Sequence, residues 1–407
     1  MVEPASSAMA REICESPDVV ARIVRNRSAV ADVAKRLDMG SVPLAVLCGR
    51  GSSGHVGVFL RYLIETRLHL PVSASAPSVI TAFRKPLTLR NALFIVISQS
   101  GQSPDLVAAT RSARESGAHT VAIVNTVLSP VADVAEFVIP IEAGPELSVA
   151  ASKTVIGSMA AGAALIAELT GDAALGSALD RLPERLSRAL ALDWSVIAKD
   201  LAGATAVFVA SRGLGLGSAR EIALKLAEIL RLPALGFSAA ELQHGPRAAL
   251  SSKTPLLMMR LRDETAVTID RLTSELHKSR IAVHLCGGPR GTHIRTDRRG
   301  QSHRSPDAGA FIGPCKSSIR IIHRVSDNRR GGKRRIRASP YGHLFRSSRP
   351  GRIYCTLVSF RFSCAHAAGL HCGSPDAPGP VRRRLDYSCS LGVDQRPSPG
   401  SRWTPGR

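Results

Sequence analysis

The pattern of apolar and polar positions changes at Val42. From there to about residue 169, short runs that are wholly apolar alternate with longer stretches in which apolar residues recur at helical spacing. Strands that are apolar along their whole length are typical of a parallel sheet covered by helices on both faces. The pattern therefore predicts an α/β fold of the doubly wound kind. The predicted strands are 44–48, 72–74, 93–97, 120–124 and 137–140, and the predicted helices are 54–66, 105–116 and 151–169.

The strand, glycine-rich turn and helix of this unit recur once along the chain. Residues 45–53 are AVLCGRGSS and residues 207–217 are VFVASRGLGLG, so Arg50 and Arg212 align at an offset of 162 residues. No sustained apolar periodicity follows Gly287. The simplest interpretation is a duplicated domain whose second copy is incomplete. The second copy continues with a predicted helix at 219–230, a strand at 255–259, a helix at 266–279 and a strand at 281–286.

Helical patterns precede and connect the two copies. Residues 1–40 are predicted to form an N-terminal helical segment of one or two helices, broken near Asn26. The remaining boundaries follow from the repeat. We predict a first domain at 41–172, a helical connection at 173–203, a second domain at 204–286, and a tail of low order, rich in Arg, Ser, Gly and Pro, at 287–407.

Charge changes the picture only at the C-terminal end. The net charge of +22 divides into +4 for residues 1–286 and +18 for residues 287–407, and the latter hold 22 Arg, two Lys and no Glu. Two interpretations stay open: translation of a GC-rich gene in a shifted reading frame, or an Arg-rich segment that binds nucleic acid. Aromatic residues are sparse around the most basic stretch, 329–337. Any nucleic-acid contact there would therefore be to phosphate and non-specific.

Neither a secretory signal nor a membrane span is evident in the sequence. The first 15 residues lack a basic stretch followed by an apolar run, and no apolar segment reaches the roughly 18 residues that a transmembrane helix needs. The sequence therefore predicts a cytoplasmic protein. Cys14, Cys48 and Cys286 are isolated and are expected to be buried apolar residues. The five tail cysteines lack the paired spacing of a zinc site.

Two turns rich in hydroxyl groups follow the first and third predicted strands. They are Gly-Ser-Ser-Gly at 51–54 and Ser-Gln-Ser-Gly-Gln-Ser at 98–103. Small residues let the backbone approach an anion, hydroxyl groups donate hydrogen bonds, and the next helix presents unpaired N–H groups. Together the turns predict a phosphate site without a lysine. The alternative is that Ser53 and Ser103 merely cap their helices.

Three further segments carry residues suited to chemistry. The loop 144–154 precedes a long Ala-rich helix and could close over a ligand. Glu221, Lys225 and Glu228 lie at spacings of four and three residues and share one helix face, where an exposed ladder of ion pairs is the alternative to a site. His244 lies in Glu-Leu-Gln-His-Gly-Pro at 241–246. A histidine before Gly-Pro is more often a turn residue than a catalyst, so spacing alone does not mark it as functional.

Taken together, these motifs resemble the tandem SIS-domain family of sugar-phosphate isomerases. The resemblance covers residues 9 to 286. It is to the isomerase half of glutamine:fructose-6-phosphate aminotransferase, and most of all to stand-alone SIS-type glucosamine-6-phosphate deaminases. It implies two SIS domains with parallel sheets, a homodimer with a shared active site, and no metal or organic cofactor. The motifs that carry it are MAREICESP at 9–17, SQSG at 98–101, SVAASK at 148–153, ALKLAE at 223–228 and ELQHGP at 241–246.

The resemblance also implies a role for each matching residue. Glu228 would carry a proton between the first and second carbons of the sugar, Lys225 would stabilise the enediolate oxygen, and His244 of a neighbouring subunit would assist ring opening. The substrate is expected to be a phosphorylated amino sugar. Its phosphate would be held by five residues of the two turns, Ser53, Ser98, Gln99, Ser100 and Ser103. The substrate loop would include Val149, Ala151 and Ser152.

Three departures from the family pattern limit these expectations. The synthases begin with a glutaminase domain, for which this sequence has neither the length nor the N-terminal cysteine, so we do not expect glutamine-dependent synthesis. Ala151 stands where the synthases have a serine that contacts the ligand. Nothing after Gly287 matches the family's C-terminal segment, which reaches into the active site.

The expected function is that of an amino-sugar-phosphate deaminase and isomerase, converting glucosamine 6-phosphate to fructose 6-phosphate and ammonia. The alternatives are an isomerase like that of the aminotransferase, and a non-catalytic SIS protein that binds a phosphosugar. An enzyme is favoured because no helix-turn-helix precedes the module and because Glu228, Lys225 and His244 are all present.

Overall fold

Three helices precede the first sheet in the computed structural model, which describes residues 8–192, 194–279, 281–287, 294–296 and 302–304. They are α1 (Ala8–Cys14), α2 (Ser16–Arg25) and α3 (Arg27–Arg36). The break between α2 and α3 falls at Asn26, as predicted, but the segment forms three helices rather than the one or two expected. Val19 and Val20 of α2 are fully buried. Helices α2 and α3 both pack against a later helix, α8 (Lys153–Thr170).

The first sheet has five parallel strands in the order β2-β1-β3-β4-β5. Each strand ends within one residue of its predicted range. The strands are β1 (Ala45–Cys48), β2 (Val72–Ala74), β3 (Leu93–Ser98), β4 (His119–Val124) and β5 (Phe137–Pro140). The helices that follow them are α4 (Ser52–Arg67), α5 (Ser78–Thr81), α6 (Pro104–Glu115), α7 (Pro130–Val134) and α8.

Alternate residues of these strands are buried in two separate cores. Leu93, Ile95 and Ile97 of β3 lie in the core that contains residues of α4 and α8. Phe94 and Val96 lie in the core that contains residues of α6 and α7. Strand β3 is apolar from Leu93 to Ile97 because helices cover both faces of the sheet. The predicted α/β class and doubly wound arrangement are therefore confirmed.

The second sheet repeats this strand order in its parallel part, with β7-β6-β8-β9 in the places of β2-β1-β3-β4. Three helices lie between the two sheets in the sequence, α9 (Ala173–Asp180), α10 (Leu182–Leu190) and α11 (Ser195–Ala202). The parallel strands are β6 (Val207–Ser211), β7 (Ala234–Ser238), β8 (Leu256–Met259) and β9 (Val283–Cys286). The helices between them are α12 (Gly215–Leu230), α13 (Ala239–Gln243) and α14 (Ala266–Lys278).

Beyond β9 the second sheet differs from the first. Whereas β5 runs parallel to β4, β10 (Ile294–Thr296) runs antiparallel to β9, and β11 (Ser302–Arg304) runs antiparallel to β10. The sequence predicted neither strand, because a run of three residues shows no periodicity. Among the described residues the second sheet has no counterpart of the parallel β5. The tail, with its basic stretch and its five cysteines, lies almost entirely outside the described residues. The two interpretations of the tail therefore stay open.

In the second copy the start of α12 differs from its prediction, and neither β7 nor the short helix α13 was predicted. Helix α12 begins at Gly215 rather than at residue 219, because its glycines lie inside the helix and not in a turn. A Cβ atom at Gly217 would lie 2.6 Å from the carbonyl oxygen of His55, so the glycine permits close contact with α4. Strand β7 was not predicted at all. It is only partly buried, with Leu235 exposed, and its sequence lacks a continuous apolar run.

The cysteines of the described region differ in burial. Cys48 and Cys286 are buried, as expected, and burial raises the pKa of the Cys48 thiol to about 11. Cys14 is exposed, so its predicted burial was wrong; α1 buries Glu12 and Ile13 instead. No helix in the described part of the chain is long and apolar enough to cross a membrane.

Candidate functional site

The two hydroxyl-rich turns follow neighbouring strands, at the point where the strand order of the first sheet reverses. Strand β2 lies on one side of β1, and β3 lies on the other. Turn 51–54 leads from β1 into α4, and turn 98–103 leads from β3 into α6. Arg50 and Asp105 form an ion pair that joins the two turns. The turns therefore lie side by side at the edge where open α/β sheets bind ligands.

The hydroxyl groups of these turns do not cap the helices. The residue before α4 is Gly51, which has no side chain, and Ser53 lies inside the first turn of the helix. Ser103 precedes α6, but its side chain makes no capping hydrogen bond. The capping alternative was therefore wrong. Gly51 and Ser103 leave the first N–H groups of both helices without a side-chain acceptor, a feature of anion sites.

The turn after β3 has a fixed backbone shape. Ser98 is buried, and its Oγ accepts a hydrogen bond from the Gly101 N–H at 3.0 Å. Gly101 has a φ of +65°, and a Cβ atom there would overlap Ser129. The Oγ of Ser100 accepts from the Gln102 N–H at 3.3 Å. Only glycine fits the position of Gly101, both sterically and conformationally. The partly buried residues of the turn are Gln99, Ser100 and Ser103.

Helix α12 brings two of the three predicted catalytic residues, Lys225 and Glu228, to the first turn. The helix packs against α4. Lys225 is only 2% exposed, and its Nζ donates to the Ser52 Oγ at 3.1 Å. The same Nζ lies 2.7 Å from Glu228 Oε2 and 3.2 Å from Glu221 Oε1. Lys225 and Glu228 are therefore in contact with each other and next to the turn that contains Ser53. The alternative of an exposed ion-pair ladder was wrong for Lys225 and Glu221, which are buried.

Glu221 is the buried carboxylate of the cluster and contacts both Lys225 and His55. It is 3% exposed, and its Oε2 lies 2.8 Å from His55 Nδ1 on α4. Burial opposes ionisation of this carboxyl, but the hydrogen bond with His55 and the charge of Lys225 outweigh that effect and lower its pKa. Glu221 is therefore a buried carboxylate that compensates the Lys225 ammonium.

Glu228 is the accessible carboxylate of the cluster. Its side chain is 38% exposed, whereas those of Lys225 and Glu221 are almost completely buried. A carboxylate that reaches solvent beside a fixed ammonium can remove a proton from a carbon acid while the ammonium stabilises the oxyanion that forms. The arrangement is chemically suited to proton transfer next to a carbonyl group.

The backbone of the loop 144–154 is held by hydrogen bonds to the carboxylates of Glu12 and Glu146, and the loop is exposed at Val149. The Glu12 carboxylate accepts hydrogen bonds from the N–H groups of Leu147 and Ser148. Glu146 accepts from the N–H of Ser152 at 2.9 Å. Val149, at the tip, is fully exposed. None of the hydrogen bonds or ion pairs of the described residues joins this loop to Lys225 or Glu228.

The three predicted substrate-loop residues have different environments. Val149 is fully exposed and Ala151 is partly buried. Ser152 is 7% exposed, and its Oγ has no hydrogen-bond partner among the described residues. The loop follows β5 at the edge of the first sheet. Its role in substrate binding stays a prediction.

The His244 side chain makes no contact with the cluster through the hydrogen bonds or ion pairs of the described residues. His244 is exposed at the end of α13, where its backbone N–H donates to the Glu241 carbonyl oxygen at 3.0 Å. A role for His244 in the site of a neighbouring subunit stays a prediction.

Sequence reasoning missed three members of the cluster. Glu221 was noted only for its spacing from Lys225, and Ser52 only as part of a turn. His55 was not considered. Ser52 and His55 meet α12 across 173 and 166 residues of sequence. No local pattern could have revealed these tertiary contacts.

The part of the chain that the structure describes contains no group of three or more His, Cys, Asp or Glu side chains placed to hold a metal ion. The charged centre is instead an ammonium among carboxylates, Lys225 with Glu221 and Glu228.

The fold and the position of the turns define a tandem doubly wound α/β protein with its candidate site at a topological switch point. The family model for the SIS domain matches residues 44–168 and 200–286. The chain therefore belongs to the SIS domain family, as the sequence motifs predicted. The two matched segments end at the first long helix after β5 and at the end of β9.

Relatives and solved structures agree with this assignment. The chain is 35% identical over 269 residues to the glutamine–fructose-6-phosphate aminotransferase (isomerizing) of Halobacterium salinarum. The aligned region covers 61% of this chain and 44% of the relative. The chain thus spans less than half of that relative. A solved structure from Silicibacter pomeroyi, described as a candidate phosphosugar isomerase, is 37% identical with a TM-score of 0.67 and covers 69% of this chain and 86% of its own.

A third similarity concerns the fold alone. The C-terminal domain of a glucosamine-fructose-6-phosphate aminotransferase from Francisella tularensis is 24% identical, with a TM-score of 0.63, and the match covers 69% of this chain and 84% of that chain.

Proposed function

We propose that the chain binds the phosphate of a phosphorylated sugar between the two hydroxyl-rich turns. Ser53, Ser98, Gln99, Ser100 and Ser103 would provide the hydrogen bonds. Support comes from the position of the turns at the switch point and from two helix N-termini without side-chain caps. A phosphate there would accept hydrogen bonds from N–H and hydroxyl groups and interact with the positive ends of α4 and α6.

We further propose that the chain is an aldose–ketose isomerase. The observation that carries this proposal is the contact of Lys225 with Glu228 and Ser52, which places a carboxylate and an ammonium beside the proposed phosphate site. Glu228 would remove the proton from C2 of the open-chain sugar and return a proton to C1. Lys225 would stabilise the negative charge that develops on the C1 oxygen.

With a 2-amino sugar the same proton transfer leads to loss of ammonia. Moving a proton from C2 to C1 of open-chain glucosamine 6-phosphate reduces the aldehyde carbon to an alcohol carbon and oxidises C2 to an imine. Water then adds to the imine, ammonia leaves, and fructose 6-phosphate remains. The reaction needs only water as its second reactant. We therefore propose glucosamine 6-phosphate as substrate.

His244 and a second subunit complete the proposal. We propose that the chain forms a homodimer in which His244 of one subunit assists ring opening in the site of the other. Support comes from the exposure of His244. An imidazole can donate a proton to the ring oxygen near neutral pH.

The test is release of ammonia and fructose 6-phosphate from glucosamine 6-phosphate by the purified full-length chain. Glu228→Gln should lower turnover by about 10²–10⁴-fold, the range typical for loss of a general base. A matched control is Glu184→Gln, because the Glu184 side chain is 71% exposed on α10. Folded protein that binds hexose phosphates but releases no ammonia from any amino-sugar phosphate would rule out the deaminase proposal.

One alternative has its own support. The curated relative from Halobacterium salinarum carries the name of an isomerizing aminotransferase. An isomerase of that type would interconvert fructose 6-phosphate and glucose 6-phosphate without releasing ammonia. The same assay with fructose 6-phosphate distinguishes the two enzymes, and binding without any turnover identifies a non-catalytic phosphosugar-binding protein.

A further inference from the structure

Asn125 makes three hydrogen bonds that connect two separate segments of the candidate site. The residue follows β4 directly, between the turn after β3 and the loop after β5. Its N–H donates to the Gln99 carbonyl oxygen at 3.2 Å. Its side-chain Oδ1 accepts from the Ala143 N–H at 2.8 Å, and its Nδ2 donates to the Gly144 carbonyl oxygen at 2.8 Å.

Both connected segments belong to the proposed substrate site. Gln99 lies within the turn 98–103. Gly144, which has a φ of +67°, begins the loop that carries Val149. Ala143 is 1% exposed, and the acceptor of its N–H is the Asn125 side chain. The Asn125 side chain therefore holds the start of the loop, while the backbone N–H of the same residue is bonded to the turn.

We infer that Asn125 is a positioning residue that holds the phosphate turn and the loop 144–154 in one relative arrangement. The inference rests on the proposed function, because it assigns both segments to the substrate. Asn125 acts through Gln99 and Gly144 and touches no reacting atom. Loss of its side chain should weaken binding of the sugar phosphate, while Lys225 and Glu228 keep their own contacts.

The variants remove the two side-chain hydrogen bonds of Asn125 one after the other and keep its backbone bond to Gln99. Asn125→Asp keeps the acceptor for the Ala143 N–H and loses the donor to the Gly144 carbonyl oxygen. Asn125→Ala loses both. The matched control is Asn26→Ala, because Asn26 Nδ2 donates to the carboxylate of partly buried Glu142 at 2.6 Å, two residues before Gly144.

The first measurement is hydrogen exchange of the full-length chain followed by mass spectrometry. We expect Asn125→Ala to speed exchange from Ala143 into the loop 144–154, because the side-chain bonds to Ala143 and Gly144 are lost. Asn125→Asp should have a smaller effect, and Asn26→Ala should leave exchange of this segment unchanged. Unchanged exchange from Ala143 into the loop in Asn125→Ala would overturn the inference, because the start of the loop would then not depend on the Asn125 side chain. If Asn125→Ala does not fold, the same criterion applies to Asn125→Asp.

The second measurement is the dissociation constant of fructose 6-phosphate by calorimetry, together with KM and kcat. Asn125→Ala should raise the dissociation constant and KM about tenfold, the effect of about one hydrogen bond, with a much smaller change in kcat. An equal fall in kcat with unchanged binding would overturn the inference. If the wild-type chain binds no sugar phosphate, the proposed function fails, and hydrogen exchange alone then decides whether the Asn125 side chain holds the start of the loop.

Discussion

Lys225 has the most unusual environment of the candidate site. Its ammonium is almost completely buried, and it is compensated by the carboxylates of Glu221 and Glu228 and by a hydrogen bond to Ser52. Buried charge is tolerated only when it is paired and hydrogen-bonded. The three charged groups therefore stabilise one another. Removing one of them leaves a buried charge without its partner.

Replacement of the cation is expected to affect both activity and stability. Lys225→Met should abolish measurable isomerisation and lower the free energy of unfolding by about 3 kcal/mol, because Glu221 stays buried without its counter-charge. Urea unfolding and turnover measure the two effects. The control is Lys35→Met on α3, since Lys35 is 77% exposed. Full activity of Lys225→Met would exclude the proposed role of the ammonium.

The lowered pKa of Glu221 predicts a dependence of stability on pH. Because the carboxyl is ionised more easily in the folded than in the unfolded chain, its contribution is fully present above its ordinary pKa of 4.5 and is lost as the pH falls through its folded value. The difference in unfolding free energy between the wild type and Glu221→Gln should therefore shrink as the pH is lowered below about 4.5. A difference that is constant from pH 7 to pH 3 would contradict the assigned ionisation of Glu221.

At the scale of elements, the contact between α4 and α12 creates the candidate site. The two helices belong to different copies of the repeat. Gly217 allows them to approach until the His55 carbonyl oxygen lies only 2.6 Å from where a Cβ atom would be. The approach brings Lys225 to Ser52 and Glu221 to His55. Duplication supplied both helices, and their packing brings the charged residues to the phosphate turns.

Separating α4 from α12 should disrupt the site without changing any charged residue. A Cβ at Gly217 would meet backbone atoms of His55 and Phe59, which cannot move aside as a flexible side chain can. Gly217→Ala should lower stability by about 1–3 kcal/mol and reduce turnover. Gly203→Ala is the control, because nothing lies within 4 Å of its added Cβ. Equal behaviour of the two variants in urea unfolding would refute the close packing of the helices.

The elements of the first sheet could be predicted from sequence, and the contacts between the copies could not. Strands such as β3 are continuous apolar runs, and this pattern depends only on burial of both sheet faces. The start of α12 was placed too late because its glycines suggest a turn. The pairing of Lys225 with Ser52 depends on tertiary packing, which periodicity does not report. Residue types and spacing identified Lys225 and Glu228 only together with the family resemblance.

At the scale of the whole molecule, the match to the SIS family ends at the position where the sequence becomes strongly basic. The family match ends at residue 286, and 18 of the 22 net positive charges follow it. The second sheet also changes there, from parallel β9 to antiparallel β10. The regularity of the repeat thus ends where the composition changes.

The basic C-terminal region predicts non-specific attraction to polyanions. Single-stranded RNAs of different sequence should bind the full-length chain equally, and affinity should fall about 10³-fold or more between 50 and 200 mM salt. Changing the Arg and Lys residues of 329–337 to Gln should reduce this salt dependence. Fluorescence anisotropy is the measurement, and a preference for one sequence at high salt would contradict a purely electrostatic interaction.

The central claim is that the α4–α12 cluster transfers a proton between C1 and C2 of a phosphosugar. Its most direct test is incorporation of deuterium from D₂O into fructose 6-phosphate or glucosamine 6-phosphate, followed by NMR with the full-length chain. The wild type and Lys35→Met should exchange the proton, and Glu228→Gln should do so about 10²–10⁴-fold more slowly. Folded wild-type protein that binds the sugar phosphate but exchanges no carbon-bound proton would contradict the claim.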